Sequence, residues 1–251
     1  MVYREGVSPI IATILIIAIT VMGAVVSYTF VMGFVGTRVQ TNIQGLLSYD
    51  AFNIESLGEG NKINIYIRNV GGKELILDEL YVDEENYVSI EGLYDISLQL
   101  YEISSELFQI AQDVGGDIGD QIKERAEKTE KMGSVIQDRN IFTIISHNVP
   151  ESLYEISINL TNIAINYNKP GVSDVLIYRA NQISNIANVI HSMLTKGWTF
   201  LDEDGNIIED RSLSVGQVRL LTIFSYKPSS KSQLIKIVCN DGTKLTFSVR
   251  K

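Results

Sequence analysis

An uninterrupted apolar run near the amino terminus constrains this chain more than any other feature. From Val7 to Val35 there is no Asp, Glu, Lys, Arg or His, and nearly all formal charge lies beyond Arg38. Six polar or mixed residues, Met1 to Gly6, stand before it. Ser8 followed by Pro9 is a good helix start, because a serine hydroxyl caps free backbone N–H groups and a proline at the first helical position loses no intrahelical bond. No further proline occurs before Pro150.

Three readings of the run compete. A secretory signal has an apolar core of about 7 to 15 residues and a small-residue cleavage site; this core is roughly twice as long, and no A-x-A site follows it. A membrane anchor needs about 20 apolar residues. The stretch Val7 to Val35 makes about 43 Å of helix, which crosses with tilt. The third reading takes in Val35, Val39, Ile43 and Leu46/Leu47, whose spacing predicts an amphipathic continuation to residue 47. Such a helix buries its apolar end among copies of itself and packs its amphipathic end on its own head.

Beyond Leu47 the period changes. Ile63, Ile65 and Ile67 alternate with Asn64, Tyr66 and Arg68, a half-buried strand. Asn69 to Lys73 reads as a turn, Leu75 to Val82 as the returning strand, and Ser48 to Glu55 as an earlier one. Strand signals return at Trp198–Leu201, Asn206–Ile208 and Val218–Tyr226, and in the pair Leu234–Cys239 and Leu245–Val249 around Asn240-Asp241-Gly242-Thr243. Short alternating strands with Asp-Gly turns predict a small antiparallel β-sandwich or partly closed barrel. Between the two β regions, Leu93, Ile96, Leu100, Ile103, Leu107, Ile110 and Val114 form a heptad stripe. Leu153, Ile156, Leu160, Ile163 and Tyr167 repeat it, as do Leu176, Ile183, Ile186, Ile190 and Met193 less completely. A further helix over Asp117 to Asp138 turns Ile118, Ile122 and Ala126 inward, and Gly115-Gly116, Pro150 and Lys169-Pro170-Gly171 punctuate the set.

The expected fold class is therefore α+β: a long N-terminal hydrophobic helix, a small antiparallel β-sandwich head and an inserted α-helical bundle. The boundaries are a leader over 1–6, the helix over 7–47, the head over 48–88 and 197–251, and the insertion over 89–196. The insertion is acidic, with 14 Asp/Glu against 8 Lys/Arg.

Arg4-Glu5-Gly6-Val7-Ser8-Pro9-Ile10-Ile11-Ala12-Thr13 resembles the leader and mature start of archaeal type IV pilins, although Glu5 stands where that family usually has a basic residue. Ile63 to Gly71, Leu213 to Gln217 and Ile237 to Thr243 are similar to strand motifs of the pilin head. The resemblance implies cleavage by a prepilin peptidase between Gly6 and Val7. It implies a filament-core helix carrying Pro9, Ile10, Ile14, Ile17, Val21 and Val25, held in the membrane before assembly into an extracellular surface filament. The partners implied are copies of the chain itself, the peptidase, an assembly ATPase and a membrane platform protein. The function expected is structural, with adhesion or cell contact as the outcome. Two alternatives stay open: a single-pass anchored receptor or interaction module that never polymerises, and a minor pilin that caps or primes filaments.

Other chemistry has little support. A net charge of −9 disfavours nucleic acid, since phosphate binding needs a basic surface. One cysteine, Cys239, allows no intrachain disulfide and reads as a small buried residue. His147 and His191 lie in different segments. Asp202-Glu203-Asp204-Gly205-Asn206 lacks the closing glutamate of a calcium loop and reads as a hairpin turn, and Asp83-Glu84-Glu85-Asn86 reads as a charged loop. No G-x-S-x-G element or phosphate loop accompanies the Ser, His and acidic residues, so no catalytic residue, metal or cofactor is expected. Asn159-Leu160-Thr161 is the only N-x-S/T sequon and falls inside a predicted helix.

Overall fold

The computed structural model describes residues 13–14, 16–28, 45–57, 60–225 and 232–250, in two compact units divided after Gln44. The described part of the first unit is helical, α1, over residues 13–14 and 16–28. Its apolar side chains from Ile14 to Tyr28 are between 56% and 70% exposed.

The second unit is built on ten strands. They are β1 (Leu47–Leu57), β2 (Gly60–Asn69), β3 (Leu75–Val82), β4 (Glu85–Ser89), β5 (Gly197–Leu201), β6 (Ile207–Ile208), β7 (Ser212–Leu213), β8 (Val218–Ser225), β9 (Gln233–Cys239) and β10 (Lys244–Val249). Between β4 and β5 lie α2 (Leu93–Val114), α3 (Gly116–Gln137), α4 (Ile141–Ser146), α5 (Val149–Tyr167) and α6 (Val172–Lys196).

The strands form one sheet in the order β1-β2-β8-β5-β4-β3-β9-β10, with β6 beside β5 and β7 beside β3. All pairings are antiparallel except β4 with β5. The sheet turns its corner at β4, whose Glu85–Tyr87 pair with β3 while Val88 and Ser89 pair with β5. The edge strands β1 and β10 then meet again, and the rings of Tyr49 and Phe247 stack at 4.3 Å. The expected β-sandwich is thus corrected to a single mixed, nearly closed barrel-like sheet. Strand alternation specifies which side chains point inward, but a sandwich and a curled sheet bury the same alternating set. Ile63, Ile65, Ile67, Leu75, Leu77, Trp198, Phe200, Leu221, Ile235 and Ile237 fill the interior.

The expected N-terminal helix is corrected as well. By Leu47 the chain is already in β1, with Leu47 buried in the barrel and Leu46 exposed, so these two leucines do not end a helix face. Among the described residues no helix is long and apolar enough to cross a membrane. This overturns the expected transmembrane helix and the single-pass placement in the cell membrane. Val35, Val39 and Ile43 lie outside the described residues.

The helices follow from their stripes. Leu93, Ile96, Leu100, Ile103 and Leu107 are buried along α2, and Leu153, Ile156, Leu160 and Ile163 along α5. The α2–α3 reversal falls on Gly115 and Gly116, both with positive φ (64° and 61°), a conformation in which a side chain strains the backbone. Asn140 caps α4 by accepting from Phe142 N and Thr143 N. The module packs as two hairpins, α2 on α3 and α5 on α6, with α3 against α5 and little contact between α2 and α6.

Three ties join the module to the barrel. It leaves and re-enters through neighbouring strands, where Ile90 N donates to Trp198 O at 2.8 Å. Its α3–α4 junction is bonded to the β5–β6 turn through Ile207 N to Arg139 O (3.0 Å) and Asn140 Nδ2 to Asp204 O (3.1 Å). The Lys62 ammonium lies 4.2 Å from the centre of the Phe142 ring, a cation–π contact at a lysine almost fully removed from water.

Candidate functional site

The first candidate surface is α1. Ile14, Ile17, Val21 and Val25, the core positions implied by the pilin resemblance, all lie on it and are exposed. Isoleucine and valine are stiff at χ1 and only moderate helix formers, so intrinsic propensity contributes little to such a helix. Thr20 turns its hydroxyl back to the carbonyls of Ile16 and Ile17, at 2.8 and 2.9 Å. That bond hides a polar group against its own helix. Gly6, Val7, Pro9 and Ile10 lie outside the described residues.

The residues matched to the pilin head motifs come together at one end of the barrel. Asn69, fully buried, donates from Nδ2 to Lys73 O (2.7 Å) and Leu213 O (2.8 Å) and accepts from Gly71 N (3.0 Å). Its backbone bonds to Gln217 O (3.1 Å) and accepts from Gly216 N (2.8 Å). Each of these groups is therefore paired within the fold, and the cluster locks the β2–β3 turn to β7.

The acidic loops are turns in which Asp83, Asp202 and Asp241 turn their carboxylates onto the chain. Asp202 accepts from the backbone of Asn206 (2.8 Å) and Asp204 (3.0 Å) and from Asn206 Nδ2 (2.9 Å); the Asn206 side chain, first of these, holds the carboxyl below its ordinary range. Asp83 and Glu84, both at positive φ, form the tight β3–β4 hairpin turn, and the Asp83 carboxylate accepts from Leu234 N at 2.8 Å. Asp241 is held down to about 2, chiefly by its bond with Lys73 Nζ at 2.8 Å, and then by the Thr243 backbone and hydroxyl. Among the described residues no group of three or more His, Cys, Asp or Glu is placed to hold a metal ion. Burial among β9 neighbours pushes the Cys239 thiol up to about 11, which suppresses the nucleophilic thiolate.

Asn159 is half-buried in the interior of α5, and Thr161 Oγ1 of its sequon donates to Ser157 O at 2.9 Å. The helix and this bond keep the triplet in a conformation unlike an exposed loop.

An open groove between α2 and α6, about 420 Å3, is lined by Ile96, Gln99, Ile103, Arg179, Ile186 and Val189 among others. Heptad reading identifies the floor isoleucines as core, but does not show that one seam of the bundle stays open.

Fold and surfaces together define an α+β protein with a nearly closed mixed sheet and a two-hairpin helical module. No protein-family model matches the chain, and no curated protein matches it.

Proposed function

We propose that this chain is the structural subunit of a type IV pilus-like filament of the archaeal kind, assembling with copies of itself through its N-terminal apolar segment. Adhesion or cell contact is its outcome, and a prepilin peptidase, an assembly ATPase and a platform protein are its processing and assembly partners. The observation that carries the reading is the exposed apolar surface of α1, which has no charged residue to solvate it. Large contiguous apolar patches on a folded chain mark interaction surfaces. Burying one such isoleucine between copies contributes about 1–2 kcal/mol, and a helix contributes several at once.

Negative-stain electron microscopy and pelleting of the full chain test this directly. The native chain forms filaments, and its mature amino terminus by mass spectrometry is Val7. Ile14→Lys with Ile17→Lys abolishes pelleting while the circular dichroism of the head is unchanged. Native material that stays dispersed, or filaments that survive both lysines, would sink the reading.

A further inference from the structure

The helical module is one αα-hairpin present twice. Leu100-Tyr101-Glu102-Ile103-Ser104 of α2 recurs as Leu153-Tyr154-Glu155-Ile156-Ser157 of α5, and Leu107, Ile110 and Ala111 recur as Leu160, Ile163 and Ala164. Arg125-Ala126 of α3 recurs as Arg179-Ala180 of α6. The contacts match too. Ser104 Oγ donates to Ala126 O at 2.9 Å, and Ser157 Oγ donates to Ala180 O at 2.8 Å. Tyr101 OH reaches Gln137 Oε1 at 3.0 Å, and Tyr154 OH reaches Asn188 Oδ1 at 2.7 Å, an amide three residues before the position equivalent to Gln137. The Nε atoms of Arg125 and Arg179 are both buried without an acceptor.

Since α2 corresponds to α5 and α3 to α6, the α3–α5 seam has its counterpart in the α6–α2 seam. The first is closed; the second is the open groove floored by Ile96, Ile103 and Ile186. Each hairpin is therefore built to pack a helix on this side, and one of the two sides is left unfilled.

We propose that the α2–α6 face pairs with the same face of a second copy, α2 of each lying against α6 of the other. Charge selects that arrangement. α2 carries Asp95, Glu102, Glu106 and Asp113 with no Lys or Arg, at spacings that place all four carboxylates in one stripe. α6 carries Arg179 and Lys196 against the single Asp174. A two-fold relation sets this acidic stripe against α6, whose Arg179 and Lys196 are paired with Glu106 and Glu85 of their own chain, whereas α2 against α2 repels. The ion pair of Arg179 with Glu106 already bridges these two helices within one chain. Val189 supplies exposed apolar surface in the groove wall (46%). A face about 33 Å long and two helix diameters, about 20 Å, wide buries on the order of 1,300 Å2 in total, within the range of specific interfaces.

The test uses the full chain carrying Ile14→Lys and Ile17→Lys, so that its outcome is independent of assembly through α1. Light scattering is expected to give a dimer. Val189→Glu or Val189→Lys turns it into a monomer with unchanged helical circular dichroism, whereas Ile158→Glu, exposed on α5, leaves it dimeric. A monomeric parent, or a dimer indifferent to both Val189 substitutions, overturns the proposal. Filament formation by the unsubstituted chain judges the function reading separately.

Discussion

Gly197 sits where α6 ends and β5 begins, and replacing it by alanine is the sharpest perturbation this fold offers. A Cβ there would lie 2.0 Å from the Met193 carbonyl oxygen, 2.8 Å from its carbon and 2.9 Å from Ile90 Cγ1. Relief needs a shift of more than 1 Å, roughly, to reach ordinary van der Waals separation. Neither side is free to give it. Gly197 is paired with Val88 on β4 and Phe224 on β8, and Met193 is buried in the helical core. Overpacking of a rigid site costs about 1–3 kcal/mol and more where the backbone itself must move, so the expected loss is about 3 kcal/mol. For a unit of this size that lowers Tm by roughly 6–12 °C. Gly133→Ala is the matched control: its Cβ meets nothing closer than 3.4 Å, and it lies inside α3. There the helix gains up to about 1 kcal/mol from alanine. Urea unfolding of the two variants, followed by circular dichroism, measures both. A Gly197→Ala protein within 1 kcal/mol of the parent, roughly, would refute the steric reasoning and the rigidity assigned to this junction.

Cys239 is expected to resist thiol reagents in the native state at neutral pH and to react on unfolding. Its native pKa is raised by burial, so the unfolded chain loses its proton first as pH rises. Stability from this group is complete below the unfolded value and is lost as pH climbs toward about 11; Cys239→Ala removes that part of the alkaline decline. Ser104→Ala and Ser157→Ala, being equivalent positions of the two hairpins, each cost about 1 kcal/mol in urea unfolding. A cost confined to one of them argues against the equivalence.

Much of the local structure was legible because burial on one face leaves a period in the sequence. Ile63, Ile65 and Ile67 are all inside the barrel, and the leucines and isoleucines read from Leu93 to Leu107 and from Leu153 to Ile163 are all inside the bundle. The repeat of Leu-Tyr-Glu-Ile-Ser was equally visible as text. It is masked by the heptad pattern, which makes any two stretches of α2 and α5 look alike, and only the paired serine and tyrosine bonds give it weight. β4 was not legible, because five residues starting in an acidic turn carry almost no alternation, and the strand divides its pairing between the adjacent β3 and the distant β5.

The sequence alone determined the uncharged apolar segment that holds α1 and the strand and helix faces. These depend on composition and on contacts between near neighbours. Tertiary structure decided that the chain is in a strand by Leu47, that the sheet curls nearly closed rather than splitting into a sandwich, and that one of two equivalent helix seams stays open. Each of those outcomes is set by pairings between residues far apart in the chain, such as Tyr49 on Phe247 or α6 beside α2. Such pairings leave no period for a linear reading to find.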